Sequence, residues 1–204
     1  MIQHESEATS AEAARIISSG GLIAFRTDTF YGLGADPFNR VALQRIRELK
    51  GRENDKPILL LISDRDQLDR FVSNKSGTFE LIARERWPAP LTLIGRAHPE
   101  LPIELTAGTH SIGVRLPDDE KVRALVRACG GALTATSANV SGQPPARMAK
   151  KVEAYFPLGI DLIIDGGEVS ATEPSTVLDL SGSEPRLVRE GALPRASLVD
   201  FLTN

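Results

Sequence analysis

Short apolar runs alternate with amphipathic segments along the whole chain. The runs 22–25 (LIAF) and 57–62 (PILLLI) are continuously apolar and of strand length, which is typical of strands in a sheet covered on both faces. Segments with helical spacing of apolar residues lie between such runs. The predicted helices cover 9–19, 42–50, 77–86, 118–129 and 147–155, and further strands are predicted at 91–95, 111–117, 131–136, 161–165, 175–180 and 186–189. This alternation predicts an α/β fold, with residues 1–204 forming one domain.

The ends of two of these helices carry sequence signals for capping. Thr9-x-x-Glu12 is a capping-box pattern, so Thr9 is the predicted N-cap of the first helix. Asp118 is the predicted cap of the helix that reaches Cys129.

The first strand leads into a stretch suited to binding an anion. It delivers Arg26-Thr27-Asp28-Thr29 at its C-terminal end, which is where ligands collect in open α/β sheets. A Gly32-x-Gly34 turn is predicted next, and between residues 40 and 56 six cations face three acids in a chain of net charge −3. Two interpretations are open: an anion site, or a tight turn followed by a solvated helix with a basic C-terminal end.

The composition is typical of a globular protein, but it does not indicate a function. Hydrophobic residues make up 41% and charged residues 25%, as in ordinary globular proteins. No apolar run is long enough for a membrane helix and the N-terminus has no signal-peptide pattern. Cys129 is the single cysteine and the three histidines lack metal-ligand spacing. We therefore expect a cytoplasmic protein without a metal held by its own side chains.

A second polar stretch, 136–145 (TSANVSGQPP), follows the predicted strand 131–136. Ser137, Asn139 and Ser141 place three short polar side chains within five residues. Such groups bind phosphate oxygens or cap backbone amides equally well, so this motif alone does not identify a site.

Together with Lys50-x-Arg52, the Ser137-x-Asn139 pair resembles the signature of the YrdC family of threonylcarbamoyl-AMP synthases. The resemblance spans residues 22–193, and the matching segments occur in the family's order. These segments are TDTFYGLGA, KGRENDKP, WPAPLT, GVRLPD, TSANVSG, DGG, STVLDL and VREGAL.

The resemblance implies a single YrdC-like α/β domain, with a twisted mixed sheet and flanking helices around a concave cavity. It implies a nucleotidyltransferase that joins L-threonine, bicarbonate and ATP to give threonylcarbamoyl-AMP and pyrophosphate. The product serves tRNA threonylcarbamoyladenosine modification. Because the chain ends at Asn204, it resembles the short bacterial form, which passes its product to a separate tRNA threonylcarbamoyl transferase complex.

The family's site residues carry over position by position. The resemblance implies that Lys50 and Arg52 are catalytic, and that Thr29, Arg115 and Ser175 bind threonine. The implied ATP-binding residues are Lys50, Arg52, Lys56, Ser111, Ser137, Asn139 and Arg189. Mg²⁺ is expected to arrive with ATP and to be held through its phosphates. Cations suit a leaving pyrophosphate, and a planar guanidinium suits a carboxylate.

The mechanism implied by the resemblance needs little acid–base chemistry. A carbamate oxygen formed from the threonine amine is already anionic, so it attacks the α-phosphorus without a protein base. Asp28 lies near in sequence, but an acid beside a loop threonine is more often a turn or capping residue. The group that takes the amine's proton is not identified.

Several positions depart from the family pattern. Leu61 stands where longer members carry a histidine, Arg26 where proline is common, Ala89 where glycine is frequent, and Pro145 where some members carry serine. The segment 166–174 (GGEVSATEP) offers little to pack and leads to Ser175, so we expect a mobile lid there.

Two alternatives stay open. One is a YrdC-like RNA-binding module or ribosome-maturation factor that binds tRNA or other RNA directly. The acidic net charge and 5% aromatic content argue against it. The other is a paralogue that keeps the fold with another activity.

Gly32-x-Gly34 lacks the third glycine of a dinucleotide-binding motif and no P-loop is present.

Overall fold

The computed structural model describes residues 1–51 and 56–202. These residues form two mixed β-sheets with flanking helices. The strands of the described residues are β1 Ile2–His4, β2 Ile23–Arg26, β3 Tyr31–Gly34, β4 Leu60–Ile62, β5 Val72–Ser73, β6 Leu91–Ala97, β7 Ser111–Arg115, β8 Ala132–Thr134, β9 Thr136–Ser137, β10 Leu162–Asp165, β11 Thr176–Asp179 and β12 Arg186–Arg189. The helices are α1 Glu7–Ser18, α2 Arg40–Lys50, α3 Gly77–Arg86, α4 Ile103–Thr106, α5 Glu120–Ala128, α6 Ala149–Tyr155 and α7 Val199–Leu202, with 3₁₀ turns at Arg65–Arg70 and Arg195–Leu198.

The first sheet has the order β1-β10-β2-β3-β9. Strands β1, β10 and β2 run parallel, whereas β3 is antiparallel to both of its neighbours. The second sheet has the order β12-β11-β6-β7-β4-β8, with β5 pairing outside that path against β6. The chain passes between the sheets at Ala135, because β8 belongs to one sheet and β9 to the other.

One buried core joins the two sheets. Phe25 and Ile164 of the first sheet pack with Leu61 and Leu133 of the second, and α1 and α5 cover this cluster. The predicted α/β class with mixed sheets and flanking helices is confirmed, and the strands divide between two sheets. The shared core supports the interpretation of the chain as one domain.

Local signals set the helix ends, with two corrections to the predicted caps. The N-cap of α1 is Ser6, whose hydroxyl accepts a hydrogen bond from the amide of Thr9 at 3.1 Å. The N-cap of α5 is Asp119 rather than Asp118, and its carboxylate accepts bonds from two first-turn amides. In both helices the capping residue has the extended backbone conformation that an N-cap requires.

The predicted glycine turn is wrong. Gly32 and Gly34 lie within β3 and pair with Phe25 and Ile23 of β2. A Cβ at Gly34 would come within 2.8 Å of the Phe25 ring. Close packing of neighbouring strands therefore explains this glycine better than a turn around an anion. Strand β1 and helix α4 were not predicted; each spans at most four residues.

Lys50 closes α2 and is not the solvated helix end of the simpler interpretation. It is buried, and Gly51 in the left-handed conformation, at φ 56°, ends the helix behind it. Within residues 1–51 and 56–202, no helix is both long and apolar enough to cross a membrane.

Candidate active site

A cavity of about 530 Å³ opens between the two sheets. Its walls come from the β2–β3 connection, β3, the segment before β4, the end of β7, the segment around β9, the segment before β11 and the end of β12. The lining residues are Thr27, Thr29, Phe30, Tyr31, Gly32, Pro57, Leu59, Arg115, Ala135, Thr136, Ser137, Asn139, Pro145, Thr172, Pro174, Ser175 and Arg189.

The guanidinium of Arg115 lies at one wall of this cavity. Arg115 is the last residue of β7 and is only 2% exposed. Its Nη1 donates to Thr29 Oγ1 at 3.1 Å, and its Nη2 donates to Thr27 Oγ1 at 3.4 Å. Asp28 Oδ1 lies 3.1 Å from Nη2 and forms an ion pair with it, but the geometry is not that of a hydrogen bond. The Arg115 Nε has no partner in the described structure.

Burial lowers the pKa of Arg115 from its ordinary value, and the charge of Asp28 opposes that shift. A buried guanidinium with an unsatisfied N–H gains when an anionic oxygen approaches, because the missing hydrogen bond is then made. This wall of the cavity is therefore suited to a carboxylate.

Arg189 and Ser175 form a second polar group in the cavity. Arg189, at the end of β12, donates from Nε and Nη2 to the Ser175 carbonyl at 3.1 and 2.8 Å, and from Nη2 to Ser175 Oγ at 3.4 Å. In the described part of the chain Arg189 has no carboxylate partner. Burial lowers its pKa, and repulsion by the charge of Arg115 lowers it further. Among the described residues, Asp28 is the one carboxylate that pairs with either guanidinium group, and an anion in the cavity would relieve the repulsion between the two.

Lys50 supports the segment around β9 from behind. Its Nζ donates to the carbonyl oxygens of Ser137 and Asn139, the latter at 2.8 Å. The amide of Ser141 returns a bond to the Lys50 carbonyl at 3.0 Å. These contacts tie the end of α2 to the polar stretch that was singled out in the sequence.

Asn139 has an oriented side-chain amide. Its Nδ2 donates to the carbonyls of Val140 at 3.0 Å and Gln143 at 2.6 Å, which fixes the direction of the amide. Its Oδ1 is buried without a partner in the described structure. An acceptor in this state favours a ligand that brings a hydrogen-bond donor.

The structure brings six of the ten predicted site residues to the cavity wall. These are Thr29, Arg115, Ser137, Asn139, Ser175 and Arg189. Lys50 lies behind the wall, Lys56 is exposed beside the lining residue Pro57, and Arg52 lies outside the described residues. Ser111 is at the opposite end of β7 from Arg115, where its hydroxyl lies 3.0 Å from that of Thr109.

Sequence reasoning missed several lining residues, Thr27, Tyr31 and Thr136 among them. Thr27 and Thr136 stood inside stretches that were singled out, so polar residues flanking a strand end were the available signal. The hydroxyl of Tyr31 donates to the Gly167 carbonyl at 2.8 Å, and burial together with Asp165 raises its pKa to about 12. Tyr31 therefore stays protonated at neutral pH.

The described lining residues contain no group suited to general-base catalysis. They include no Asp, Glu, His, Lys or Cys, and the titratable ones are Tyr31, Arg115 and Arg189. Among residues 1–51 and 56–202 no cluster of three or more His, Cys, Asp or Glu could hold a metal ion. The described site is therefore equipped to position and neutralise anions rather than to move protons.

The chain is similar to known proteins over most of its length. The family model for Sua5/YciO/YrdC, described as "Telomere recombination", matches residues 15–191. A threonylcarbamoyl-AMP synthase of Thiobacillus denitrificans is 39% identical over 162 residues, covering 79% of this chain and 86% of that protein. One of Pyrococcus abyssi is 38% identical over 182 residues, covering 89% of this chain.

The solved structures agree with the fold. The crystal structure of P. abyssi Sua5 complexed with L-threonine superposes with a TM-score of 0.93 at 35% identity, covering all of this chain and 60% of that one. The chain spans about half the length of the P. abyssi relative, 54%. On the family match and on these identities, the chain belongs to the Sua5/YciO/YrdC family.

Proposed function

We propose that this protein is an L-threonylcarbamoyladenylate synthase. As a nucleotidyltransferase it would join L-threonine, bicarbonate and ATP to give threonylcarbamoyl-AMP and pyrophosphate. The observation that carries the proposal is the presence of two guanidinium groups in one cavity, the buried one of Arg115 and the more exposed one of Arg189, whose charges repel each other. Two substrates bearing a carboxylate and a triphosphate fit that arrangement.

The amino acid would bind at the Arg115 wall. Its carboxylate would meet the unpartnered Nε and the Nη groups, while the hydroxyls of Thr29 and Ser175 flank it. A planar guanidinium holds a carboxylate with two parallel bonds, which a point charge cannot do. The related P. abyssi Sua5 forms a complex with L-threonine, and this supports the choice of amino acid.

ATP would occupy the side of the cavity formed by Ser137, Asn139 and Arg189. The unpartnered Oδ1 of Asn139 suits a donor on the nucleotide, and Arg189 suits its phosphates. Lys56, exposed beside Pro57, would contact the phosphates, and Lys50 would hold the Ser137–Asn139 segment in place. A phosphate contact by Arg52, which lies outside the described residues, is proposed on the family resemblance alone. Mg²⁺ would be carried in by the phosphates, since ATP-using sites commonly bind it that way.

The reaction would proceed in two balanced steps. The threonine amine combines with bicarbonate to give a carbamate and water. A carbamate oxygen then forms a bond to the α-phosphorus while the bond from that phosphorus to the bridging oxygen of pyrophosphate breaks. The described lining residues offer no base for this attack, and an anionic carbamate needs none. Positioning and charge neutralisation would supply the rate.

The product would pass to a tRNA threonylcarbamoyl transferase in the cytoplasm. An acyl-adenylate is a reactive mixed anhydride, so a separate enzyme must consume it before water does. The need for a consuming enzyme follows from the chemistry of the proposed product, and its identity as a tRNA transferase is what the family resemblance implies.

A pyrophosphate-release assay tests the proposal. The purified protein is incubated with ATP, Mg²⁺, L-threonine and bicarbonate, and each component is omitted in turn, with mass spectrometry of the nucleotide product. We expect release only with all components present. Arg189→Ala should slow it by about 10²-fold, since loss of one preorganised charge commonly has that effect. Lys150→Ala, on an exposed position of α6, is the matched control and should act as the unmodified protein.

Two outcomes would contradict the proposal. Equal pyrophosphate release without threonine would leave a nonspecific ATPase. Tight tRNA binding with no pyrophosphate release under any condition would favour the RNA-binding alternative.

A further inference from the structure

Behind Ser175, outside the residues that line the cavity, lies the hydroxyl of Thr92. The two oxygens are 2.9 Å apart, and both residues are 3% exposed. Ser175 faces the cavity, whereas Thr92 is an interior residue of β6. Thr92 ends the segment 87–92 (WPAPLT), but it was not among the predicted site residues.

The pair contains two hydroxyl hydrogens and only one of them can lie between the two oxygens. In the described structure Thr92 Oγ1 has no other acceptor within reach, and neither has Ser175 Oγ. One hydrogen must therefore point elsewhere. If it belonged to Thr92 it would be buried without an acceptor, which is unfavourable. If it belongs to Ser175, it points into the cavity, where a ligand or water accepts it.

Arg189 favours the second arrangement. Its Nη2 lies 3.4 Å from Ser175 Oγ as a donor, so a lone pair of that oxygen faces Arg189. The hydroxyl of Thr92 then donates to the other lone pair. With both lone pairs engaged by donors, Ser175 retains only its own O–H to offer a ligand.

The methyl group of Thr92 lies on the side of the neighbouring strand β7. A Cβ built on Gly113 of β7 would lie 3.2 Å from the Thr92 methyl group, so that methyl lies over Gly113. Threonine is branched at Cβ, so the rotamer that places the methyl group over Gly113 also places Oγ1 beside the Ser175 hydroxyl.

We propose that Thr92 is a positioning residue that makes the Ser175 hydroxyl a hydrogen-bond donor to an oxygen of the bound amino acid. This inference rests on the proposed function. The ligand atom beside Ser175 must be an oxygen acceptor, a carboxylate or hydroxyl oxygen. The nearby guanidinium groups of Arg115 and Arg189 favour the same polarity, because both present only donors.

A set of four variants tests the inference: Thr92→Val, Thr92→Ser, Ser175→Ala and the Thr92→Val/Ser175→Ala double variant. The Kd for L-threonine is measured by calorimetry, and kcat and the KM for ATP by pyrophosphate release. Thr92→Val keeps the shape but removes the donor, so we expect the Kd for threonine to rise about 5–10-fold with little change in the KM for ATP. Thr92→Ser should recover most of the affinity, because it restores the hydroxyl.

The double variant separates positioning from packing. If Thr92 acts through Ser175, adding Thr92→Val to Ser175→Ala should cause no further loss of threonine affinity. Full additivity of the two losses would overturn the inference, and so would unchanged affinity in either Thr92→Val or Ser175→Ala. Because Ser175→Ala leaves Thr92 intact, it tests the donor even if Thr92→Val folds poorly. No threonine binding by the unmodified protein would overturn the proposed function as well.

Discussion

The guanidinium of Arg115 is buried, partly paired and still short of one hydrogen-bond partner among the described residues. We expect Arg115→Lys to raise the KM for threonine about tenfold or more, because an ammonium cannot reproduce two parallel bonds to a carboxylate. The KM for ATP should change much less. Arg127→Lys is the matched control, since Arg127 is an exposed residue that pairs with Asp64 far from the cavity. Weakened use of ATP with unaltered threonine affinity would show that Arg115 serves the nucleotide instead.

Lys50 donates hydrogen bonds to the carbonyls of Ser137 and Asn139, so it supports both the stability of the fold and the position of these site residues. We expect Lys50→Met to lower both turnover and the melting temperature. The buried carbonyl of Asn139 and the part-buried carbonyl of Ser137 then lose a donor, and such a loss costs about 1–3 kcal/mol for a fully buried group. Thermal unfolding and pyrophosphate release, each against Lys150→Ala, measure the two effects. Lower turnover with an unchanged melting temperature would contradict a supporting role and would favour direct contact with the nucleotide.

Among the elements, the loop 166–174 makes more packing and hydrogen-bond contacts in its first half than its sequence predicts. Val169 is buried, its amide donates to the Arg147 carbonyl at 2.9 Å, and its own carbonyl accepts from Arg147 Nε at 2.9 Å. Tyr31 holds the Gly167 carbonyl. These contacts favour an ordered first half of the loop, whereas the sequence predicts a mobile lid over 166–174.

The second half of the loop is held at its end. The Pro174 carbonyl accepts from the amide of Ala192 at 2.9 Å. Thr172 reaches the cavity wall but makes no hydrogen bond within the described part of the chain. The stretch 171–173 is therefore where a lid movement would be concentrated.

We accordingly expect hydrogen exchange to divide this loop. The amides of Gly167 and Val169 should be protected without substrates, and the amides of 171–173 should gain protection when ATP, threonine and bicarbonate are added. The surface segment 182–184 provides an internal control that should not change. Uniform fast exchange over 166–173 in the absence of substrates would contradict the anchoring by Arg147 and Tyr31.

For the molecule as a whole, burial of two titratable groups predicts sensitivity to alkali. Burial raises the pKa of Tyr31 from 10.0 to about 12 and that of Cys129 from 9.0 to about 12. A raised pKa in the folded state means that the neutral form is favoured there. The stability contribution is thus fully present below the unfolded values and is lost as the pH rises toward 12.

The melting temperature should therefore fall from about pH 9 upward, in the window set by these pKa values. Tyr31→Phe and Cys129→Ala should each flatten the dependence, and the double variant should flatten it most. Thermal unfolding between about pH 8 and pH 11 measures this. An identical alkaline decline in the double variant would contradict the assignment to these two groups.

Local sequence patterns were sufficient to predict which segments form most of the helices and strands. Helix α2 has apolar residues at helical spacing, so it buries one face. The run before and within β4 is apolar throughout, so this strand is buried on both faces. Such patterns can be read from a short stretch of sequence. The resemblance of separate motifs also identified Thr29, Arg115, Ser137, Asn139, Ser175 and Arg189, which the structure brings to one cavity.

How those residues act depends on tertiary packing. Gly32 and Gly34 became a strand because β2 and β9 pair with β3, and the buried position of Lys50 depends on a segment 87 to 89 positions away. Thr92 and Ser175 meet although they are 83 positions apart. Local propensity does not encode such encounters. They follow from which faces pack against each other, and the direction of a hydroxyl hydrogen is then set by the few acceptors that packing leaves within reach.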